Sequence, residues 1–96
     1  MHLGNIGIRS YGEYSSENYG VNAMRVDVGS VTFYFSYHTV VAVHTYEHGL
    51  VVCENCWGPT TGKHLNWIDG GAKYSRLPHS EFEAKVAEIL TKHGLQ

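Results

Sequence analysis

Long apolar runs are missing from this sequence. No stretch approaches the roughly 20 residues that span a bilayer, so no helical membrane span is expected within its 96 residues. The segment after Met1, His2-Leu3-Gly4-Asn5, offers neither the basic flank nor the apolar stretch of a secretory signal, and a cytoplasmic protein is expected. Charge is scarce as well: Asp, Glu, Lys and Arg make up 17%, and the formal net charge is −2. A generic nucleic-acid binder needs a basic stripe to displace counterions from phosphates, and this composition argues against one. Seven histidines reverse the sign only below their usual pKa of about 6.5. The low charge also points to surface covered by a partner, most simply a second copy, so a homo-oligomer is expected. No Gly-x-Ser-x-Gly elbow, His-Glu-x-x-His or helical carboxylate pair is present, and no internal repeat. Nothing names a reaction, and no cofactor is implied.

What is present is a folding pattern. A hydrophobic share of 43% is that of a folded chain, and 96 residues make one α+β domain. Residues 1–22 read as a short first strand (Leu3, Ile6 and Ile8 among Gly and polar residues over 3–9) and a Gly-, Ser- and Tyr-rich loop from Tyr11 to Asn22. Residues 23–53 read as an antiparallel β-meander. Met24, Val26 and Val28 alternate with polar residues, Gly29-Ser30 is a two-residue turn, and Val31, Phe33 and Phe35 alternate again. That turn pairs Val28 with Val31, Val26 with Phe33 and Met24 with Phe35 on one face. Val40 to Val43, apolar on both faces, predicts a central strand covered on one side by a helix. A turn at Tyr46–Gly49 and a strand at Leu50–Cys53 follow. The sheet should hold four to five strands.

Residues 54–79 lose this periodicity and read as a long polar connection with one short strand or helical turn, of the kind usually functional. Residues 80–93 read as an amphipathic helix packed on the sheet. Ser80 is the expected N-cap with Glu83 closing a capping box, and Phe82, Val86, Ile89 and Leu90 form the apolar stripe. Glu81–Lys85 and Glu88–Lys92 are the expected exposed pairs, and Gly94 the stop.

The polar connection carries the chemistry. Cys53-x-x-Cys56, with His44, His48 and His64 nearby, is the metal candidate, yet no second tight ligand pair completes a zinc site. A redox pair needs a helix at once after the motif, and Trp57-Gly58-Pro59 follows instead. Gly58-Pro59-Thr60-Thr61-Gly62-Lys63-His64 combines backbone amides, hydroxyls and a cation as phosphate loops do, although its spacing is not that of a Walker A motif. Lys63, Lys73 and Arg76 stand against only Asp69 between Thr60 and His79, which suggests an anion-binding edge. Lys63 and His64 could also act as acid and base, with His38 or His44 as a second imidazole. Tyr34, Tyr37, Tyr46, Trp57 and Trp67 exceed what so small a core can hold, and suit base stacking or a protein contact.

Two stretches, Phe33-Tyr34-Phe35-Ser36-Tyr37-His38-Thr39-Val40-Val41-Ala42 and Glu54-Asn55-Cys56-Trp57-Gly58-Pro59-Thr60-Thr61-Gly62-Lys63-His64-Leu65-Asn66, resemble an uncharacterised small-domain family of bacteria, archaea and their phages. Leu77-Pro78 before an acidic helix containing Phe82 fits the same pattern, and the match covers roughly residues 23 to 95. The resemblance implies a stand-alone prokaryotic or phage domain and no activity.

Three functions follow as expectations. The first is a non-enzymatic module binding a small anionic or nucleotide ligand through Thr60, Thr61, Lys63, His64 and Asn66, with Trp57 or Trp67 stacking; in a phage it would serve counter-defence. The second is an inhibitor that binds a host protein in a defence or transcription complex. The third is a small phosphodiesterase or nuclease using His64 and Lys63.

Overall fold

Strict alternation over Ala23–Phe35 leaves extended, paired backbone as the arrangement that buries one face and wets the other. A computed structural model describes residues 6–11 and 22–94 and shows this outcome. Five strands run antiparallel in chain order: β1 Ile6–Ser10, β2 Ala23–Val28, β3 Val31–Ser36, β4 Thr39–Thr45 and β5 Gly49–Val52. The expected strand residues 3–5, and residues 12–21 of the expected loop, lie outside the described residues. The β2–β3 register pairs Val28 with Val31, Val26 with Phe33 and Met24 with Phe35. Gly29 sits at φ 61°, where a residue with a Cβ would be strained, and this closes the turn.

The 54–79 segment departs from expectation. Pro59–Asp69 is an eleven-residue α-helix, α1, followed by a 3₁₀ turn at Lys73–Ser75. The second helix, α2, spans His79–Lys92. Pro59 opens α1, where its missing N–H costs nothing, and Gly70 at φ 68° closes it. The helix hid because two of its buried residues, Thr61 and His64, are polar, so the 3.6-residue stripe they form with Leu65 and half-buried Ile68 did not read as apolar.

The two helices cover opposite faces of the sheet. On one face Phe82 and Ile89 of α2 pack with Val31, Val43 and Cys53, flanked by Phe33, Val51 and Leu77. On the other, Leu65 of α1 packs with Val41, Ala42 and Val52, beside Tyr34 and Ile68. The expectation of cover on one side of β4 is thereby corrected. A bulge makes this possible: Tyr34 pairs with Ala42 but Phe35 with Val40, so Val41 is an extra residue turned to the α1 face beside Ala42. Past β5, Leu77 bridges Cys53 in parallel: its N–H donates to the Val52 carbonyl, and the Glu54 N–H donates to its own.

The expected capping box does not form. Pro78 is the N-cap of α2 without a side-chain bond, Ser80 lies inside the helix, and Glu83 instead pairs with His79 at 3.1 Å. The exposed pairs are Lys85–Glu88 and Lys92–Glu47, not Glu81–Lys85 and Glu88–Lys92. Among the described residues no helix is long and apolar enough to cross a membrane.

Candidate functional site

The start of α1 is built by Asn55. Its Oδ1 accepts from the N–H of Trp57 (3.0 Å) and Gly58 (3.2 Å), and its Nδ2 donates to the Gly58 carbonyl at 3.0 Å. Gly62 makes room: a Cβ there would lie 2.9 Å from Asn55 Nδ2. The turn delivers the chain to an extended Gly58, and α1 begins with no side-chain cap. Gly62 N–H donates to the Gly58 carbonyl (2.9 Å), while the first-turn amides of Thr60 and Thr61 lie ahead of any intrahelical acceptor.

This helix start borders a cavity of about 350 Å³ between α1 and the β3–β4 turn. Ser36, Tyr37 and Thr39 line it from the sheet, and Trp57, Thr60 and Thr61 from the helix start, with Val41, Gly58 and Pro59 completing the wall. Five hydroxyls, that of Tyr37 among them, and two half-exposed rings therefore share one concavity, and among the described residues no carboxylate lines it. Tyr37 holds a left-handed backbone at φ 58°, unusual for a residue with a bulky side chain, and its N–H donates to the Asn22 carbonyl at 2.7 Å.

Behind the wall lies a buried polar cluster. Ser36 Oγ is 2.8 Å from Thr61 Oγ1 and 2.7 Å from His64 Nδ1. Ser36 is 2% exposed and His64 not at all. Tyr11 and Tyr37 each set a ring 6.1 Å from the imidazole, and the Tyr11 hydroxyl donates to the Phe35 carbonyl. A buried imidazole and hydroxyl must be hydrogen-bonded to be tolerated, and Ser36 meets the ring at Nδ1.

The residues singled out from sequence separate into three places. Trp57, Thr60 and Thr61 line the cavity, and His64 lies behind its wall, against Ser36 and Tyr37. Lys63 is exposed and not among the lining residues. Asn66 belongs to a second hollow of about 270 Å³, shared with Glu54, Asn55, Lys73 and Arg76. Trp67 is 52% exposed and lines neither.

One of the three cations of the expected anion-binding edge, Arg76, is tied up in an ion pair. The buried Arg76 guanidinium donates to Asp69 at 2.7 and 2.9 Å and to Asn66 Oδ1 at 3.0 Å. Burial pushes the Asp69 carboxyl up, but the bonds from Arg76 and the backbone N–H groups of Gly71 and Ala72 outweigh it and hold it below the usual range.

The other candidates lie elsewhere. Cys53 sits in the α2-side core, where burial, aided by Cys56 and Glu54, pushes its thiol up to about 12. Cys56 is exposed, and both thiols are free. Among the described residues no group of three or more His, Cys, Asp or Glu gathers to hold a metal. His38 and His44 are exposed and neither lines the cavity.

Ser36 and Thr39 escaped the sequence reading as site residues, since a Ser-Tyr-His-Thr turn looks like any hairpin connection, whereas Tyr37 was among the aromatics expected to stack or to meet a protein. No curated protein and no solved structure matches the chain. A family model does match, over residues 1–84, and by that match the chain belongs to DUF8033, a family of unknown function.

Proposed function

We propose that this protein is a non-enzymatic binding module that holds a small phosphorylated ligand with a planar ring, a nucleotide in the first instance, at the start of α1. One observation carries the reading: the first residues of α1, the hydroxyl side chains of Ser36, Thr39, Thr60 and Thr61 and the rings of Tyr37 and Trp57 meet around a single cavity of about 350 Å³. Amides at a helix start attract phosphate oxygens through aligned dipoles, and hydroxyls add donors. Tyr and Trp faces stack on any base, at about 1–3 kcal/mol each. The volume suits a ligand the size of a nucleoside monophosphate.

The strained Tyr37 supports the same reading, because backbone strain of about 1–2 kcal/mol in a turn residue calls for a reason beyond folding. A hydrolytic role for Lys63 and His64 loses support, since the imidazole is enclosed and the ammonium lies outside the cavity. Sequestering a nucleotide signal would suit a phage counter-defence protein, the setting implied by the resemblance.

Thermal unfolding with cyclic and linear nucleotides tests the proposal. At about a hundred times Kd a ligand adds roughly 2.7 kcal/mol, a rise in Tm of about 10 °C or more for a domain this size. The shift should vanish in Thr61→Val. Absence of a shift with every nucleotide and with pyrophosphate contradicts the proposal.

Exposed Trp67 and Tyr74, at 52% and 93%, favour a second reading, an inhibitor that docks on a host protein through α1 and the turn after it. There, Trp67→Ala abolishes capture of the partner and Thr61→Val leaves it intact.

A further inference from the structure

A helix about 10 Å across covers two to three strands spaced about 4.8 Å apart, so one helix on each face leaves part of a five-stranded sheet bare. Among the described residues, the clusters that α1 and α2 build draw their strand side chains from β3, β4, β5 and Cys53 just past it. Strands β1 and β2 lie outside both clusters, and their two faces are made of opposite materials. On the α1 side Asp27 meets Arg25 at 3.3 Å, Arg9 at 3.9 Å and the Thr32 hydroxyl at 2.6 Å, a face built for water. On the α2 side the register sets Ile8 opposite Val26, Val26 opposite Phe33 and Met24 opposite Phe35. No charged residue interrupts this strip. Ile8 is 67% exposed, and Met24, Val26 and Val28 are only half-buried. Single apolar residues on a surface need no cover, but a contiguous strip without charge marks a contact.

The same surface continues onto α2. A groove of about 500 Å³ runs between the start of β4 and that helix, lined by Val40 on one side and by Val86, Ala87 and Leu90 on the other. Val40 pairs with Phe35 and Phe35 with Met24, so groove and strip adjoin. Glu83 is the one carboxylate in the groove, and His79 already pairs with it at 3.1 Å. We infer that this chain forms a two-fold dimer through the α2 face, the Val86–Leu90 flank of each α2 lying on the β1–β2 strip of the other copy. One chain carries both halves of the contact, an apolar helix flank and a bare strip about one helix wide. A two-fold axis covers both at once, as a self-complementary interface requires. Strip and flank together span about 450 Å² in projection, and side-chain relief brings this to the roughly 600 Å² per partner at which specific interfaces begin. Ala87, small and exposed, lets the two helices approach closely. The charged share of only 17% suits a chain that buries this face against its own copy.

Sedimentation velocity over about 1–200 µM protein tests this, and the wild type should sediment as a dimer at the top of that range. Ala87→Glu and Ile8→Lys each place a charge on one half of the contact at an exposed position. Each should weaken the dimer at least about tenfold, since an unpaired charge would have to be buried. Mixing the two variants should restore a heterodimer, because one of its contacts is then native and the other sets Lys against Glu. Arg9→Ala, on the wet face of the same strand, should leave the dimer unchanged. Circular dichroism checks that each variant is folded, and Ala87→Glu, at an exposed helix position, decides alone if Ile8→Lys is not. A wild type that stays monomeric throughout contradicts the inference, as does an Ala87→Glu protein as dimeric as the wild type. A mixture that stays monomeric contradicts the flank-on-strip pairing. A monomer that instead binds phosphatidylglycerol vesicles or a host protein through Ile8 assigns the strip to that partner and overturns the dimer.

Discussion

The two faces of the sheet solve different problems with nearly equal means. On the α2 face Val31, Val43, Phe82 and Ile89 fill the space with hydrocarbon, and even Cys53 there behaves as a small apolar group whose thiol stays protonated. On the α1 face the same strands meet Leu65, but the end near the helix start is given to Ser36, Thr61 and His64. Hydrocarbon would pack there at lower risk, because a half-satisfied polar cluster is worse than none. One face is built for stability and the other keeps a polar corner beside a cavity. Changes on the first should therefore cost folding, and changes at the corner should cost binding.

The largest expected effect is on the apolar face. Ile89→Ala should lower the free energy of unfolding by about 2–5 kcal/mol, read by urea denaturation. Against a total of roughly 5–15 kcal/mol this brings the domain close to unfolding. Next comes the latch after α1. Arg76→Ala leaves the buried Asp69 carboxylate without its partner and should cost about 3 kcal/mol. The same latch sets a pH dependence. Asp69 has a lowered folded pKa, so its contribution is present above the unfolded value of about 3.9 and is lost as pH falls through the folded one. Thermal melts from pH 6 down to 2 should show this loss, and Asp69→Asn should flatten it.

Smaller effects sharpen the contrast at the corner. Tyr37→Asn, which tolerates the left-handed backbone, should leave stability unchanged or raise it by about 1 kcal/mol while weakening nucleotide binding about tenfold. A loss of stability without a loss of binding would assign Tyr37 to folding instead. The smallest effect on binding is expected outside the cavity: Lys63→Ala should leave nucleotide affinity close to that of the wild type.

Legibility from sequence followed the same division. The hairpin register, the five-strand meander and α2 were readable because alternation and an apolar stripe state their own geometry. Helix α1 was not, because Thr61 and His64 occupy buried positions that the apolar pattern needs. Its punctuation, Pro59 ahead and Gly70-Gly71 behind, was present and would have revealed it. The site was half legible. The Thr60-Thr61 string pointed to the right helix start, but spacing alone cannot say that Lys63 faces away or that the β3–β4 turn closes the cavity. Gly62 looked like part of a ligand loop, and the structure gives it, with Asn55, a mechanical task. Gly62→Ala should cost Asn55 its bond to the Gly58 carbonyl, about 1 kcal/mol, and in an Asn55→Ala background the same change should stabilise α1 by a similar amount. A double-mutant cycle followed by urea denaturation reads this change of sign.

Backbone amide shifts during a nucleotide titration, followed by ¹H–¹⁵N spectroscopy, bear most directly on the ligand at the start of α1. Saturable shifts centred on Thr60, Thr61 and Tyr37, with the α2-face amides of Val43 and Ile89 unmoved, are the result expected. Shifts absent from those three residues at millimolar nucleotide, or clustered around Lys73 and Arg76, would contradict it.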